Sequence, residues 1–104
     1  MIPSEIQPPV PGLRLFSRAT VQVAAPQLFG KTILGERRVV QILSGRLVGR
    51  LSGEVLPGGA DWQIITEGGL ALLEARYTIR TPDDTLILVQ NRGLRHASPQ
   101  VLNR

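Results

Sequence analysis

The stretch Gly49-Arg50-Leu51-Ser52-Gly53-Glu54-Val55-Leu56-Pro57-Gly58-Gly59-Ala60-Asp61-Trp62 decides the fold of this chain. Glycines 49 and 53 interrupt its apolar residues, and glycine inside a strand marks a bulge, a bend or a close approach to another backbone. Pro57-Gly58-Gly59 is a strong turn signal, because proline fixes one backbone dihedral and glycine adopts positive φ. The stretch therefore predicts a bend and a turn at the corner of a small antiparallel β-barrel.

Outside this stretch, apolar and polar residues alternate along several segments, which is the pattern of half-buried strands. Ser44-Gly45-Arg46 predicts a tight hairpin between two of them. The predicted strands cover residues 13–23, 36–43, 47–56, 61–66, 70–80 and 85–91. Strands at this spacing, with turn residues between them, predict an all-β protein of six or more strands, either a sandwich or a barrel.

Length and composition fit one small domain. The chain has 104 residues, of which 42% are apolar, and this is enough for one buried core but not for two. Residues 1–12 are rich in proline and lack periodicity, so we expect an extended arm there and a single β-barrel domain over residues 13–104. Ser98-Pro99 is a candidate start for a short helix near the end.

The residue content also limits the chemistry. The chain has no cysteine and one histidine, His96, which excludes a disulfide framework and a thiolate metal site and argues against an all-histidine zinc site. No phosphate-binding glycine loop and no Ser-His-Asp order is present. We therefore expect neither a metal nor a cofactor.

The first residues, Met1 to Pro9, lack a basic segment followed by an apolar run, as a secretory signal would have. No apolar run in the chain approaches the ~18 residues that span a bilayer. These features predict a soluble, cytoplasmic protein without a membrane partner.

Arginine dominates the charge of the chain. Basic residues number 12 against 8 acidic ones, for a net charge of +4, and Lys31 is the one lysine among them. A guanidinium group holds carboxylates and phosphates in a defined geometry, so the bias favours an anionic ligand. A genome of high GC content would produce the same bias without any function, and the sequence leaves both explanations open.

Five strings of residues, spread in order over most of residues 13–104, carry a family resemblance. They are Gly35-Glu36-Arg37-Arg38, Ile42-Leu43-Ser44-Gly45-Arg46-Leu47-Val48-Gly49, Val55-Leu56-Pro57-Gly58-Gly59-Ala60-Asp61-Trp62, Ala75-Arg76-Tyr77-Thr78-Ile79-Arg80-Thr81-Pro82-Asp83-Asp84 and Val89-Gln90-Asn91-Arg92-Gly93-Leu94-Arg95-His96. Together they resemble the proteins grouped as domain of unknown function 3237, also called the UPF0311 family.

The resemblance implies an antiparallel β-barrel with a polar pocket at one end, and often a homo-oligomer. Members of this family continue for several tens of residues with further strands, whereas this chain stops at Arg104. We therefore expect either a fragment or a short variant that completes its sheet through a partner chain, because open sheet edges favour association. The turn at Pro82-Asp83-Asp84 also replaces a more usual Asp-Gly turn.

Asp61 and Trp62 are the first candidate site residues. After the Pro-Gly-Gly turn, Asp61 is a candidate general base or hydrogen-bond acceptor, and Trp62 is a candidate aromatic wall of a pocket. The alternative is structural, with Asp61 capping the turn and Trp62 in the core.

Arg76 and Tyr77 are neighbours on one strand and therefore lie on opposite faces of the sheet. If apolar residues fill the interior, Tyr77 lies inside and Arg76 outside. If the interior is polar, as in larger barrels, the arginine faces inward and lines the site. The sequence does not choose between these arrangements, and a solvated strand face would explain the charges equally well.

The end of the last predicted strand supplies further candidates. Asn91, Arg92 and Arg95 can hold a carboxylate or enolate oxygen, and the imidazole of His96 can exchange a proton near neutral pH. Arg37 joins them as a candidate ligand-binding arginine. A histidine near the end of a chain is also often simply exposed to solvent.

These residues favour a small-molecule-binding β-barrel, or a cofactor-independent enzyme, that acts on a small organic anion. In this hypothesis the arginines orient the anion, and Asp61, Tyr77 or His96 handles protons. One alternative is a structural or interaction module that pairs its open edges. Another is a nucleic-acid-binding barrel, which the high calculated pI of about 11.1 allows, although a single lysine and few aromatic residues argue against it.

Overall fold

The computed structural model describes residues 8–96, which form one antiparallel sheet of seven strands. No helix occurs in this range, so the prediction of an all-β antiparallel fold is confirmed. The strands are β1 (Ser17–Val23), β2 (Gln27–Thr32), β3 (Gly35–Gly49), β4 (Gly53–Val55), β5 (Gly59–Ile65), β6 (Leu70–Arg80) and β7 (Leu86–His96).

β3 is the strand around which the sheet is arranged. On one side its first half pairs with β2 and its second half with β1; on the other side it pairs with β5 and then β4. β6 pairs with β5 and with β4, and its other edge pairs with β7 along the whole length of that strand. The sheet therefore runs from β1 and β2 through β3, then β5 and β4, to β6 and β7.

The hairpin predicted at Ser44-Gly45-Arg46 is wrong, because β3 continues through these residues. The pairing register shifts there instead: Gln22 is opposite Ser44, whereas Val23 is opposite Ile42. Leu43 is thus an extra residue, a β-bulge that bends the strand and exchanges its two faces. Gly45 permits this bend, since a Cβ at this position would lie 2.5 Å from the carbonyl oxygen of Thr20.

Other strand boundaries also differ from the prediction. The first strand begins at Ser17 instead of residue 13, β2 was not predicted, and β7 continues to His96 instead of ending at Asn91. Residues 8–16 contain no strand. The rest of the predicted arm and the helix predicted at Ser98-Pro99 lie outside the described residues.

The two faces of the sheet differ in composition. One face, which we call the core face, carries the buried cluster of Ile42, Leu47, Val55 and Ile79. Half-buried apolar residues, including Tyr77 and Val89, pack against this cluster. The other face, which we call the outer face, carries the residues that alternate with them.

Glycines allow the strands beneath the core face to approach one another. A Cβ on Gly53 would lie 2.6 Å from the carbonyl oxygen of Arg80, and one on Gly59 would lie 2.5 Å from that of Arg76. These separations are shorter than real Cβ contacts, so only glycine fits. Of the bulge, bend or close approach that the sequence offered for Gly53, the structure shows the close approach to another backbone.

The sheet has two unpaired edges within residues 8–96. β1 and β2 pair with β3 alone, and β7 pairs with β6 alone, so no ladder in this part of the chain closes a barrel. The open edges agree with the expected incomplete barrel. No helix in the described range is long and apolar enough to cross a membrane.

Candidate functional site

The candidate residues divide between the two faces of the sheet. The register across β5, β6 and β7 places Asp61 opposite Ala75 and Ala75 opposite Asn91. These residues share the core face with Tyr77 and Arg95. The remaining candidates, Arg37, Trp62, Arg76, Arg92 and His96, lie on the outer face by the same register. The sequence-predicted residues therefore do not form one site.

A chain of hydrogen bonds joins three polar side chains on the core face. Arg38 donates from Nε to Oε1 of Gln63 at 2.6 Å, and Gln63 donates from Nε2 to Oδ2 of Asp61 at 2.8 Å. Gln63 is only 7% exposed. Because arginine can only donate, this arrangement fixes the orientation of the amide and directs both of its polar atoms to charged partners.

The other carboxylate oxygen of Asp61, Oδ1, is buried and has no hydrogen-bond donor among the described residues. A buried acceptor without a donor costs free energy, about 1–3 kcal/mol for an ordinary polar group and more for a charged one. Such groups are uncommon in native structures, and strain, a catalytic role, or a bound water or ion accounts for them. Oδ1 is therefore the atom of this cluster that would gain most from a donor on a ligand.

Two further candidates stand beside this cluster. Asn91 lies two strands from Asp61 across the ladder, a distance of about 10 Å between backbones. Tyr77 lies on β6, two residues beyond Ala75 on the same face. Ala75 thus lies between Asp61 and Asn91 in the register and has a small side chain.

His96 and Arg95 lie far from this cluster. They pair with Leu70 and Ala71 at the start of β6, whereas Asp61 pairs with Ala75. Four to five residues of strand separate the two places, which corresponds to about 13–17 Å. His96 is exposed and lies on the outer face, whereas the cluster lies on the core face. The structure therefore does not bring His96 to Asp61.

On the outer face, Trp62 is 38% exposed. The structural alternative, which placed Trp62 in the core, is therefore wrong. The guanidinium carbon of Arg76 lies 5.8 Å from the centre of its ring, within the range of a cation–π contact. Arg76 also lies 3.7 Å from the carboxylate of Glu74. The two alternatives for β6 are thus resolved: Tyr77 lies on the core face and Arg76 on the outer face.

Sequence reasoning missed Arg38 and Gln63 as members of the core-face cluster. The alternation of β5 placed Gln63 on the same face as Asp61, but a glutamine on a strand is usually exposed and gave no reason to select it. In the described part of the chain, no three side chains of His, Asp or Glu lie close enough together to hold a metal ion.

Comparison with known proteins agrees with this architecture. The family model described as "Protein of unknown function (DUF3237)" matches residues 11–104. The chain therefore belongs to the DUF3237 family, and the resemblance found in its sequence is confirmed.

Curated relatives carry the UPF0311 name. A UPF0311 protein of Bradyrhizobium diazoefficiens is 40% identical over 73 residues, which are 70% of this chain and 48% of the relative. A UPF0311 protein of Clostridium acetobutylicum is 42% identical over 78 residues, which are 73% of this chain and 49% of the relative. The chain thus spans about half the length of the curated relatives it matches.

Solved structures share the fold. A crystal structure of a protein with unknown function from Clostridium acetobutylicum has a TM-score of 0.76 at 37% identity, and the match covers 85% of this chain and 62% of that one. A protein from Acinetobacter baumannii, described as beta-barrel like, has a TM-score of 0.70 at 36% identity, covering 93% and 65%. The sheet is therefore of the kind found in a β-barrel-like protein.

Proposed function

We propose that the core face of this protein binds a small hydroxy acid, with the cluster of Arg38, Gln63 and Asp61 as its recognition site. The observation that supports this proposal most directly is the buried Oδ1 of Asp61, which has no donor among the described residues. A ligand hydroxyl would supply that donor once a side chain beside Asp61 moves aside, because Oδ1 is closed to solvent in the structure. A hydroxyl is preferred to a cationic group because Arg38 already contributes a positive charge to the same cluster, through its hydrogen bond to Gln63.

Arg38 accounts for the acid group of the ligand. Its Nε is committed to Gln63, and no carboxylate of the described residues lies within 4.0 Å of its guanidinium group. The terminal nitrogens of an arginine held in this way suit the planar geometry of a carboxylate. Gln63 holds Arg38 and Asp61 at a fixed separation, so it sets the spacing between the acid group and the hydroxyl.

The same arrangement orients a bound ligand. Asp61 accepts a hydrogen bond from the ligand hydroxyl, and Arg38 holds the acid group in a fixed position relative to it.

A panel of small acids tests the binding proposal by thermal shift and calorimetry. The panel pairs each hydroxy acid with the same acid lacking the hydroxyl, because the pair isolates the contribution of Asp61. At a concentration of about 100 times Kd, a bound acid should stabilise the protein by about 2.7 kcal/mol. We expect stabilisation by a hydroxy acid and a markedly smaller effect of its matched acid.

Two variants assign the effect to the site. Asp61→Asn should remove the discrimination between the paired acids, and Arg38→Gln should remove binding of both. Arg80→Gln, an exposed arginine on the outer face that pairs with Glu54, serves as the control and should bind normally. The proposal fails if no acid in the panel binds, or if Arg80→Gln weakens binding as much as Arg38→Gln. Circular dichroism establishes that each variant is folded.

A further inference from the structure

The outer face contains a groove of about 400 Å³ that the proposed function does not use. Four strands contribute to it in register. Arg37 on β3 is opposite Ile64 on β5, which is opposite Leu72 on β6. In the next row Trp62 is opposite Glu74, which is opposite Arg92 on β7. The groove therefore has an apolar floor between two arginines that stand on separate strands.

Trp62 forms one wall of this groove. Its ring is contacted by Arg76 from the direction of Ala60, whereas the groove residues Ile64 and Leu72 lie in the opposite direction along the strands. A tryptophan that is 38% exposed and lies beside two apolar side chains offers a surface on which another flat ring can pack. The wall thus favours an aromatic ligand.

The charges around the groove favour an anion. Neither Arg37 nor Arg92 has a carboxylate within 4.0 Å among residues 8–96. Glu74 is the acidic residue of the groove, and its carboxylate lies nearer to Arg76, at 3.7 Å. The groove therefore contains two guanidinium groups and one carboxylate, and this carboxylate already lies beside Arg76.

We infer that this groove is a second binding site, separate from the core-face cluster, and that it takes an aromatic carboxylate. The aromatic ring packs against Trp62, Ile64 and Leu72, and the carboxylate accepts hydrogen bonds from Arg37. The volume is within the range of about 300–1,000 Å³ that is usual for small-molecule sites. A nucleic acid strand fits less well, because successive bases need several aromatic platforms, and Tyr77 lies on the other face.

The position of Trp62 makes the test specific, because it is the one tryptophan of the chain. Its fluorescence therefore reports on the surroundings of this one side chain, which forms a wall of the groove. Sodium benzoate is the probe; benzyl alcohol tests the need for the charge, and cyclohexanecarboxylate tests the need for the aromatic ring. We expect saturable quenching by benzoate and much weaker responses to both of the other compounds.

Adjacent arginines on β3 provide a matched pair of variants. Arg37 faces the groove, whereas Arg38 faces the core-face cluster, since neighbouring strand residues lie on opposite faces. Arg37→Gln should raise the Kd for benzoate about tenfold, the loss expected for a charge-assisted hydrogen bond. Arg38→Gln should leave that Kd unchanged while abolishing binding of the hydroxy acid. The two proposals can therefore fail separately.

Several results would overturn the inference. One is the absence of saturable quenching by benzoate in the folded protein. Another is an equal loss of benzoate binding in Arg37→Gln and Arg38→Gln. A third is quenching by a single-stranded oligonucleotide at lower concentration than by benzoate, with steep salt dependence, which would identify the outer face as a nucleic-acid surface instead.

Discussion

Gly59 lies so close to Tyr77 that a Cβ built on the glycine would be 2.6 Å from the Cβ of the tyrosine. Gly59→Ala should therefore destabilise the protein by about 1–3 kcal/mol, because β5 and β6 would have to move apart. Gly93→Ala is the matched control, since it is also a strand glycine on the core face but has no atom within 4 Å of the added Cβ. Urea unfolding of both variants measures the difference, and equal stabilities would contradict the close approach.

Gln63 should matter for stability because it is bonded to two charged side chains. Gln63→Leu leaves Arg38 without its acceptor and Asp61 without its donor, so we expect a loss of about 1–3 kcal/mol in the free energy of unfolding. Gln41→Leu, an exposed change on β3, should alter the stability by less than about 0.5 kcal/mol. A Gln63→Leu protein as stable as the wild type would show that the hydrogen-bond chain contributes nothing to folding.

The turn between β6 and β7 holds Asp84 at a φ of +65°, in the left-handed region. Glycine adopts this conformation without the steric cost of a Cβ, although it loses more backbone entropy on folding. We therefore expect Asp84→Gly to raise the stability by up to about 1 kcal/mol, and Asp84→Ala to give no such gain. Thermal unfolding of the two variants in parallel measures the difference. If the alanine variant is as stable as the glycine variant, the left-handed conformation at this position costs no stability.

Asp83 in the same turn links stability to pH. The hydroxyl of Thr81, and then the side chain and backbone N–H of Thr85, donate to its carboxylate and hold its pKa below the ordinary value of 3.8. A lowered pKa in the folded state adds stability above the unfolded pKa, and this contribution disappears as the pH falls through the folded value.

Asp83→Ala should therefore be less stable than the wild type near neutral pH, and the difference should shrink below about pH 4. The effect should be small, because the carboxylate is fully exposed. Tm measured from neutral to strongly acidic pH tests the expectation. Thr81→Val removes the first donor and also the hydrogen bonds between Thr81 and Thr85, so its difference from the wild type should narrow at low pH without disappearing. If neither variant's difference from the wild type changes with pH, this linkage is excluded.

The edge of β7 that has no partner strand within residues 8–96 should make the chain self-associate. If two copies pair antiparallel about Asn91, Leu88 of one copy meets Leu94 of the other, and both leucines are largely exposed in the single chain. Leu88→Lys should weaken the association, because it places a charge where the two leucines would meet. Leu13→Lys, an exposed change outside the strands, is the control. Sedimentation velocity measures the effect, and a wild-type chain that stays monomeric at high concentration would contradict the prediction.

Alternation along the chain predicted most of the strands and the division of residues between the two faces of β5 and β6. It failed at Leu43, because a bulge inserts one residue and reverses the alternation without any distinctive sequence. Ser44-Gly45 has the composition of a turn, but here the glycine makes room for the backbone of β1. Strand propensity is local, whereas this bend is produced by pairing between distant segments.

The candidate site was only partly predictable for a similar reason. Asp61 was selected because it follows a turn, but its importance in the structure comes from Gln63 and Arg38, which composition alone did not distinguish from solvent-facing residues. His96 was selected for its chemistry, and the register of β7 places it at the far end of the sheet. Residue type indicates what a side chain can do, whereas strand register decides which side chains meet.

The position of β3 between partners on both sides has a consequence for the dynamics of the chain. Its amide protons are shielded by β2 and β1 on one side and by β5 and β4 on the other. Release of these protons to deuterated solvent requires the neighbouring strands to separate, whereas the outward amides of β7 exchange without any opening. Hydrogen–deuterium exchange should therefore label the edges of the sheet first and β3 last, so that β3 reports on global unfolding.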